Sequence, residues 1–369
     1  MDKNIDFNDV FLKAKKYSDK ILKAVSKVIE SKNYLSGKEN RVLENNLKKY
    51  LQGGNVVTVA SGHDALFMAI SALNLSKNDE IIFPANSYPT AFPISLTKAK
   101  PVLCDVDNEG LIDIKQIADK ITKNTRVIIA VHLYGLVCNI NEINKLVKGK
   151  NIILIEDCAQ AFGAKYNNKP VGSLCDIGCF SFYPTKNLGT LGDGGAVWTK
   201  NNSYYQYFLE AKAYGEKSRY NSLFTSGHSR LPEIQASILN IYFKNIKKEL
   251  NDRIELAEYF NKRINEEKLT NYVRSLNNNN QLPLHLFVVE VKKRNELQKY
   301  LKGKGIPTLI HYPYPIHLVP AFSYLGYKSG DFPIAERLVK NILSLPFHPM
   351  MTKKQIDYIV ITIHKFYYG

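Results

Sequence analysis

A lysine in the middle of the chain stands where an amine could act as a nucleophile. Lys186 follows an apolar segment that ends at Phe182, and the glycine-rich turn Gly192-Asp193-Gly194-Gly195 comes after it. Ligands of open α/β sheets bind at the carboxyl ends of the strands, which is where this lysine would lie. Partial desolvation there lowers the pKa of a lysine and makes its neutral amine nucleophilic. The alternative is a solvated loop lysine, the usual state of the 50 basic residues of this chain.

An acid follows a second apolar segment. Asp157 comes directly after Asn151 to Glu156, 29 residues before Lys186. A strand that is apolar on both faces is typical of a buried parallel sheet, so we expect Asp157 at the same edge as Lys186. A carboxylate in apolar surroundings is costly unless it is paired, and a protonated pyridine nitrogen is one cation that would pair with it. The alternative is a structural role, in which Asp157 caps the next helix.

A possible phosphate cradle lies earlier in the chain. The segment Ser61-Gly62-His63-Asp64 stands between a β-branched run and a helical pattern, and the backbone N–H groups of such a helix N-terminus bind phosphate. Capping of the helix by Ser61 and Asp64 alone is the simpler explanation. A nucleophilic lysine, an acid for a pyridine nitrogen and a phosphate cradle are together what pyridoxal phosphate requires.

The elements that must position these residues alternate between strand and helix from about residue 55 to residue 235. This alternation predicts the α/β class, with a mostly parallel mixed sheet between helices. We predict a large domain, residues 1–240, which begins with a helical segment and binds the cofactor. A smaller α+β domain, residues 241–369, follows it. Within it we expect helices over Phe332 to Leu343 and Lys353 to Phe366, and one long helix, Ile238 to Glu267, across the boundary.

Composition and charge exclude several classes of protein. The chain of 369 residues is 45% hydrophobic and 23% charged, which is a globular balance. No apolar run reaches the roughly 18 residues that span a bilayer, and the first residues form no apolar signal core, so we expect a cytoplasmic protein without a membrane partner. Five cysteines do not form a disulfide framework. Cys175 and Cys179 lack a second pair that would complete a zinc site, so we expect no metal.

The net charge of +16 invites a nucleic-acid hypothesis. Residues 55–240 hold 18 Lys and Arg against 16 Asp and Glu, a surplus of +2, whereas the flanks hold 32 against 18, a surplus of +14. The positive charge therefore lies outside the stretch that carries the chemical motifs, and no nucleic-acid-binding motif is evident. We expect no nucleic-acid partner.

With these segments in order, the chain resembles the DegT/StrS-type sugar aminotransferases, which are pyridoxal-phosphate enzymes of the aspartate-aminotransferase fold. The resemblance covers nearly the whole chain. Its most specific parts are the segments around Asp157 and Lys186. It also runs through these segments: Ala60 to Leu66, Pro84 to Tyr88, Asp105 to Asp107, Val131 to Gly135, Ser229 to Ala236, His311 to Pro313 and Gly330 to Pro333.

The resemblance implies roles for individual residues. Lys186 would form the Schiff base with the cofactor and then act as acid and base in the proton shift, and Asp157 would pair with the pyridinium nitrogen. Gln160 would contact the ring hydroxyl side, and Tyr88 would stack on the ring. The implied phosphate ligands are Ser61, Gly62, His63 and Ser181. The family builds its site across a homodimer interface, with residues near 228–230 of the neighbouring subunit reaching the phosphate.

The sequence departs from the family pattern at four positions. His63 replaces the usual Thr of the phosphate loop, and His228 replaces an Asn, which puts the cross-subunit phosphate contact in doubt. Pro232 replaces an Asp, and Leu136 stands where Gln is frequent. Some relatives carry His in place of the lysine and act as dehydratases, so Lys186 favours transamination.

The resemblance implies a nucleotide-sugar aminotransferase with glutamate as the amino donor. Motif similarity favours a dTDP-3-keto-6-deoxy sugar over a 4-keto sugar, which is dTDP- or UDP-linked. Less favoured alternatives are a pyridoxal-phosphate-dependent dehydratase and a non-enzymatic regulator that binds the cofactor. The candidates for the sugar end of the site are Tyr183, His311, Tyr312, His317 and Arg230.

Overall fold

The computed structural model describes residues 5–277 and 281–369. Residues 1–4, part of the segment in which we expect no signal core, lie outside this description. No helix of the described residues is long and apolar enough to cross a membrane.

The α-helices are α1 Val10–Lys16, α2 Ser18–Glu30, α3 Lys38–Tyr50, α4 Gly62–Ser71, α5 Tyr88–Ser95, α6 Ile114–Lys120, α7 Ile140–Val147, α8 Asn202–Ala211, α9 Glu233–Phe243, α10 Ile246–Glu266, α11 Arg294–Gly303, α12 Pro333–Asn341 and α13 Lys353–Tyr368. Short 3-10 helices occupy Leu133–Gly135, Leu269–Asn271, Ile316–Leu318 and Pro320–Leu325. The strands are β1 Asn55–Val59, β2 Glu80–Pro84, β3 Lys100–Cys104, β4 Thr125–Val131, β5 Ile153–Asp157, β6 Lys165–Tyr166, β7 Lys169–Pro170, β8 Ile177–Ser181, β9 Gly195–Thr199, β10 Glu216–Ser218, β11 Asn221–Ser222, β12 Val273–Ser275, β13 Phe287–Val291 and β14 Ile342–Leu345.

A seven-stranded sheet forms the centre of the molecule, in the order β1-β9-β8-β5-β4-β2-β3. Six strands run parallel, and β9 is antiparallel to both of its neighbours. The central strands are buried on both faces, as their runs of Val, Ile and Leu require. This sheet, with helices such as α4 and α8 packed against it, confirms the predicted α/β class.

Strand β9 is the element that sequence analysis missed in this sheet. It begins inside the glycine-rich segment after Lys186 and pairs along its full length with β1 and β8. A Cβ atom on Gly195 would lie 2.3 Å from the backbone oxygen of Ser61. Glycine at this position therefore lets the phosphate-cradle segment approach β9 closely.

The N-terminal helices pack on α9, and a single carboxylate joins them. Glu233 is 2% exposed and accepts hydrogen bonds from the backbone N–H groups of Gly37 (2.8 Å), Glu39 (2.8 Å) and Asn40 (3.0 Å). These groups belong to the first turn of α3, which has no capping side chain of its own. A negative charge at a helix N-terminus is stabilising, so Glu233 caps α3 from a distant part of the chain.

Two predicted helices differ in the structure. The long helix expected over Ile238 to Glu267 is two helices, α9 and α10, separated at Lys244 and Asn245. Asn245 is the N-cap residue of α10 without a capping bond from its side chain, and its backbone N–H closes the end of α9 by donating to the oxygen of Tyr242 (3.0 Å). The helix expected over Phe332 to Leu343 ends at Asn341, because the next four residues pair with β13 as strand β14.

A second, antiparallel sheet in the order β12-β13-β14 lies in the C-terminal part, with α10, α11 and α13 around it. The two sheets fall on either side of residue 240 of the described chain. The division of the chain into domains at residue 240 stays a prediction.

The two parts are fastened together at Asp105, which follows β3 and is fully buried. Its carboxylate accepts hydrogen bonds from the backbone N–H groups of Ile334 (2.9 Å) and Ala335 (2.8 Å) in the first turn of α12. It also accepts one from Val106 (2.9 Å). The charge thereby caps a helix of the C-terminal part.

We expect Asp105→Asn to lower the free energy of unfolding by about 2 kcal/mol or more, because an amide replaces a charged acceptor of buried N–H groups. Chemical denaturation of both proteins measures the difference. Asp119→Asn is the matched control, since Asp119 is exposed and close in the chain, and its effect should stay within about 0.5 kcal/mol. Equal effects of the two substitutions would contradict the role of Asp105.

Candidate active site

A cavity of about 490 Å³ opens at the carboxyl ends of the parallel strands. Loops after β1, β2, β4, β5 and β8 supply most of its wall, and His285, His311 and Tyr312 of the C-terminal part complete it. Of the residues that the sequence analysis selected, the structure brings together Ser61, Gly62, His63, Tyr88, Asp157, Gln160, Ser181, Tyr183, Lys186, His311 and Tyr312.

Asp157 lies at the end of β5 and is 4% exposed. One carboxylate oxygen accepts a hydrogen bond from Thr90 Oγ1 (2.7 Å), and the other accepts one from the backbone N–H of Ala159 (3.0 Å). Burial raises the pKa of this carboxyl, while these hydrogen bonds and the nearby Lys186 oppose the rise. Both donors are neutral, so the carboxylate still favours a cation in the cavity.

Lys186 ends a turn that follows β8, and its backbone N–H donates to the oxygen of Tyr183 (2.9 Å). Burial lowers the pKa of its amine to about 8, and the charge of Asp157 opposes part of that shift. The turn needs a glycine three residues later, because a Cβ on Gly189 would lie 2.4 Å from the oxygen of Pro184. At neutral pH a far larger fraction of this amine is unprotonated and nucleophilic than in a solvated lysine.

The phosphate-cradle segment sits at the N-terminus of α4. Ser61 is the N-cap residue, and its hydroxyl accepts a hydrogen bond from the backbone N–H of Asp64 (3.1 Å). A Cβ on Gly62 would lie 2.6 Å from Cβ of Ser181, so only glycine allows this contact between the helix start and β8. The first N–H groups of a helix have no partner inside it, and here they border the cavity.

The capping explanation for Ser61 and the phosphate hypothesis are compatible. The Ser61 hydroxyl caps α4, and the same helix start lines the cavity. The carboxylate of Asp64 is held from behind by the hydroxyl of Ser229 (2.7 Å), which also accepts from the N–H of Ala60 (2.9 Å). His63 is exposed, and its Nδ1 lies 3.5 Å from Asp64.

Gln160 is fixed by two hydrogen bonds. Its Oε1 accepts from the backbone N–H of Tyr134 (2.8 Å), and its Nε2 donates to the hydroxyl of Tyr312 (3.0 Å). The ring of Tyr312 in turn lies 6.0 Å from that of Tyr88, at an interplanar angle of 35°. The amide of Gln160 and the rings of Tyr312 and Tyr88 therefore form one connected wall of the cavity.

A buried polar cluster supports the strand that carries Asp157. His132, Glu156 and Cys158 lie close enough together to hold a metal ion. The carboxylate of Glu156 already accepts hydrogen bonds from the N–H groups of Gly172 and Leu174 (2.8 Å each), and His132 Nε2 lies 3.1 Å from it. These groups satisfy one another, which is the arrangement of a structural network.

Two selected residues of the segment before α9 lie away from the cavity of their own chain. His228 is exposed and packs its ring edge-on against Tyr214 at 5.3 Å. Arg230 is partly buried, and its Nε has no hydrogen-bond partner among the described residues. Neither residue lines the cavity.

His317 does not lie at the expected sugar end of the site. Its side chain is fully buried, its Nε2 lies 3.0 Å from Glu336 Oε1, and its ring packs on Phe332. The histidine thereby joins a 3-10 helix to α12, because a buried imidazole needs a hydrogen-bonding partner. The residue type alone does not reveal that partner.

Thr90 and His285 are among the cavity residues that were not predicted from the sequence. Thr90 stands two positions after Tyr88, and its hydroxyl links Asp157 to Ser87 (2.6 Å). The spacing of Ser87 and Thr90 at a helix start is a weak signal for it. His285 lines the cavity from the C-terminal part, and burial holds its pKa well below the usual value, so its ring is neutral. A lone histidine in an apolar run gives no signal of this position.

The arrangement fits pyridoxal phosphate. Asp157 could hold the pyridinium nitrogen, Lys186 could bind the aldehyde carbon, and the start of α4 with Ser181 could hold the phosphate. The fit rests on a buried carboxylate with neutral donors, an amine with a lowered pKa, and a close glycine contact beside a helix N-terminus.

Comparison with known proteins agrees with this geometry. Residues 15–364 match the model of the DegT/DnrJ/EryC1/StrS aminotransferase family. The chain is 38% identical to a dTDP-3-amino-3,6-dideoxy-alpha-D-galactopyranose transaminase of Aneurinibacillus thermoaerophilus, over 96% of this chain and 97% of the relative. It is 34% identical to a pleiotropic regulatory protein of Geobacillus stearothermophilus, over 99% of both chains. The names of further relatives specify UDP-linked and GDP-linked sugars.

Among solved structures, DesV of S. venezuelae in complex with a ketimine intermediate superimposes with a TM-score of 0.95. It is 30% identical and covers 99% of both chains. Other similar structures hold the cofactor in its pyridoxal or pyridoxamine form. The chain therefore belongs to the DegT/DnrJ/EryC1/StrS aminotransferase family, and it is a pyridoxal-phosphate-dependent sugar aminotransferase.

Proposed function

We propose that this aminotransferase moves the amino group of glutamate to the keto carbon of a dTDP-linked 3-keto-6-deoxyhexose, making a dTDP-3-amino-3,6-dideoxyhexose. The observation that carries the transamination is the presence of Lys186 and Asp157 in one buried cavity. The substrate proposal is supported by the relative with 38% identity, whose name specifies a dTDP-3-amino-3,6-dideoxy sugar.

Asp157 and Lys186 would have separate roles in the transamination. Bound pyridoxal phosphate supplies an electron sink for the negative charge that develops when a C–H proton leaves. Asp157 would keep the ring nitrogen protonated, and its fixed hydrogen bonds to Thr90 and Ala159 would hold that carboxylate in place. Lys186, with an amine pKa of about 8, would first bind the cofactor aldehyde and later accept and return the proton.

The other wall residues would position the ligands. Gln160, whose amide oxygen and nitrogen both make hydrogen bonds, would face the hydroxyl of the cofactor ring, and Tyr88 would cover that ring. Gly62, His63 and Ser181, with Ser61 behind them, would surround the phosphate. Tyr183, His311 and Tyr312 would face the sugar.

We also propose a homodimer in which the segment 214–230 of one subunit completes the phosphate site of the other. Supporting features are exposed apolar side chains on that segment, where Tyr220 is 84% and Leu223 is 58% exposed. Leu22 on α2 is 68% exposed. His228 and Arg230 lie off their own cavity, which leaves both available to a neighbour.

The function is tested by offering the enzyme glutamate with dTDP-3-keto, dTDP-4-keto and UDP-4-keto hexoses, and by identifying the amino sugar by mass. We expect amination of the dTDP-3-keto sugar by wild type and by Lys200→Ala, which alters an exposed lysine. Lys186→Ala should lose turnover, because no other amine of the cavity can replace it. Faster amination of a 4-keto sugar would show that the 4-keto sugar, and not the 3-keto sugar, is the preferred substrate. Loss of water from the sugar without amination would indicate a dehydratase. An active Lys186→Ala variant would contradict the proposed role of Lys186.

A second test follows the pH dependence of cofactor capture. Because only the neutral amine of Lys186 reacts, the rate at which apoenzyme captures pyridoxal phosphate should rise with pH through about 8 and level off above it. Stopped-flow absorbance measures this rate. Asp157→Asn removes the charge that favours the ammonium form, so the midpoint should move to lower pH. A midpoint near 10, as for a solvated lysine, would contradict the burial of the amine.

A third test addresses assembly. Light scattering should give the mass of two chains for wild type. Tyr220→Asp combined with Leu223→Asp should shift the mass toward one chain and weaken cofactor retention, because charges enter an apolar interface. Tyr324→Asp is the control, since Tyr324 is 62% exposed on the C-terminal part. A wild type with the mass of one chain would exclude the dimer.

A further inference from the structure

A smaller chamber adjoins the active-site cavity. It measures about 240 Å³ and shares four wall residues with the larger cavity: Tyr183, Thr185, His285 and His311. Phe347 and the N-terminal segment around Phe7 close its other sides. The chamber and the main cavity therefore border each other at these four side chains.

Arg253 of α10 is the cation in the wall of this chamber. It is 3% exposed, and its Nη1 donates to the backbone oxygens of Leu284 (3.2 Å) and His285 (3.4 Å). Among the described residues it makes no ion pair, and its Nε and Nη2 have no hydrogen-bond partner. Neither atom is among the fully buried polar atoms that lack a partner, so both keep some accessible surface. A buried guanidinium with unused donors at a cavity wall favours an anionic ligand.

Arg253 is the source of positive charge in the chamber, because the other ionisable groups there are neutral or acidic. Burial lowers the pKa of His311 to about 4 and holds that of His285 well below its usual value, so both rings are neutral at physiological pH. Asp9 also lines the chamber, and its carboxylate partly offsets the guanidinium from a distance. An incoming anion would therefore meet one strong donor group, the opposing charge of Asp9, and that of Glu249, which pairs with Lys13 at 2.6 Å.

We propose that Arg253 binds a carboxylate of the amino donor in this chamber, while the donor amine lies in the main cavity near Lys186. The inference rests on the proposed function, which requires a dicarboxylate donor to enter the site. The planar guanidinium offers two parallel N–H groups that match a carboxylate. The chamber is smaller than the roughly 300–1,000 Å³ of pockets that hold drug-sized ligands, so it suits the arm of an amino acid better than a nucleotide.

The test measures the first half-reaction alone, in the holoenzyme without any sugar. L-Glutamate converts the cofactor to its amine form, and the loss of visible absorbance gives the glutamate concentration for half-maximal rate. We expect Arg253→Met to raise that concentration about ten- to a hundredfold, the loss expected when hydrogen bonds to a charged group are removed. Arg253→Lys should give a smaller rise, because it keeps the charge but lacks the planar fork.

Two further variants keep the test decisive. Arg263→Gln alters an arginine of the same helix that pairs with Glu266 and Glu267 away from the chamber, and it should leave the glutamate dependence unchanged. Asp9→Asn removes the opposing charge and should lower the half-saturating glutamate concentration severalfold. Asp9→Asn decides the question if Arg253→Met does not fold, since a dependence that stays unchanged or rises would then overturn the proposal.

Donor analogues identify which carboxylate is bound. L-Glutamine replaces the side-chain carboxylate by an amide, and isoglutamine replaces the α-carboxylate. Wild type should discriminate against the analogue that lacks the carboxylate bound by Arg253, and Arg253→Met should lose that discrimination. The second half-reaction, with the pyridoxamine form and the keto sugar nucleotide, should keep its half-saturation in Arg253→Met, because the sugar phosphates do not enter the chamber.

The possible outcomes separate this inference from the proposed function. Wild type that reacts with glutamate but aminates no nucleotide sugar would refute the proposed function and leave the role of Arg253 standing. Folded Arg253→Met with wild-type dependence on glutamate would overturn the role of Arg253. A rise confined to the sugar half-reaction, or wild type that does not react with glutamate, would overturn it as well.

Discussion

Two opposite charges that are buried in one cavity are the constraint on which the site depends. Burial disfavours the charged form of both Asp157 and Lys186, while each charge stabilises the other. Their positions follow from strand order, since β5 and β8 are neighbours and Asp157 lies opposite Cys179 in register. The sheet must therefore keep this pairing for the acid and the amine to share one cavity. The network around Glu156 and His132 helps to fix the same strand end.

The C-terminal part contributes to the site as much as to the architecture. His311 and Tyr312 close the main cavity, and the hydroxyl of Tyr312 accepts a hydrogen bond from the amide of Gln160, which follows β5 of the seven-stranded sheet. His285 and Arg253 belong to the wall of the adjoining chamber. Asp105 fastens α12 to the end of β3, so the position of these side chains depends on a buried link between the two parts.

Local sequence patterns predicted the features of the fold that depend on residues close together in the chain. The apolar runs before Asp157 and Lys186 are sufficient to place both residues at one sheet edge, because parallel strands end there together. The family resemblance added the cofactor and most of the wall. Contacts between distant residues were not predictable: Thr90 meets Asp157 across 67 positions, and β14 forms only because β13 is available to pair with it. The position of His317 beside Glu336, outside the cavity lining, was not predictable either, because packing defines that partner.

The capping of α3 by Glu233 has a consequence for the order of folding. The carboxylate and the N–H of Gly37 are 196 positions apart, so the helix start stays without this partner until two thirds of the chain has been synthesised. Short helices are marginal on their own, and loop closure over such a distance is entropically costly. The N-terminal helices therefore gain their packing partner α9 late, although they leave the ribosome first.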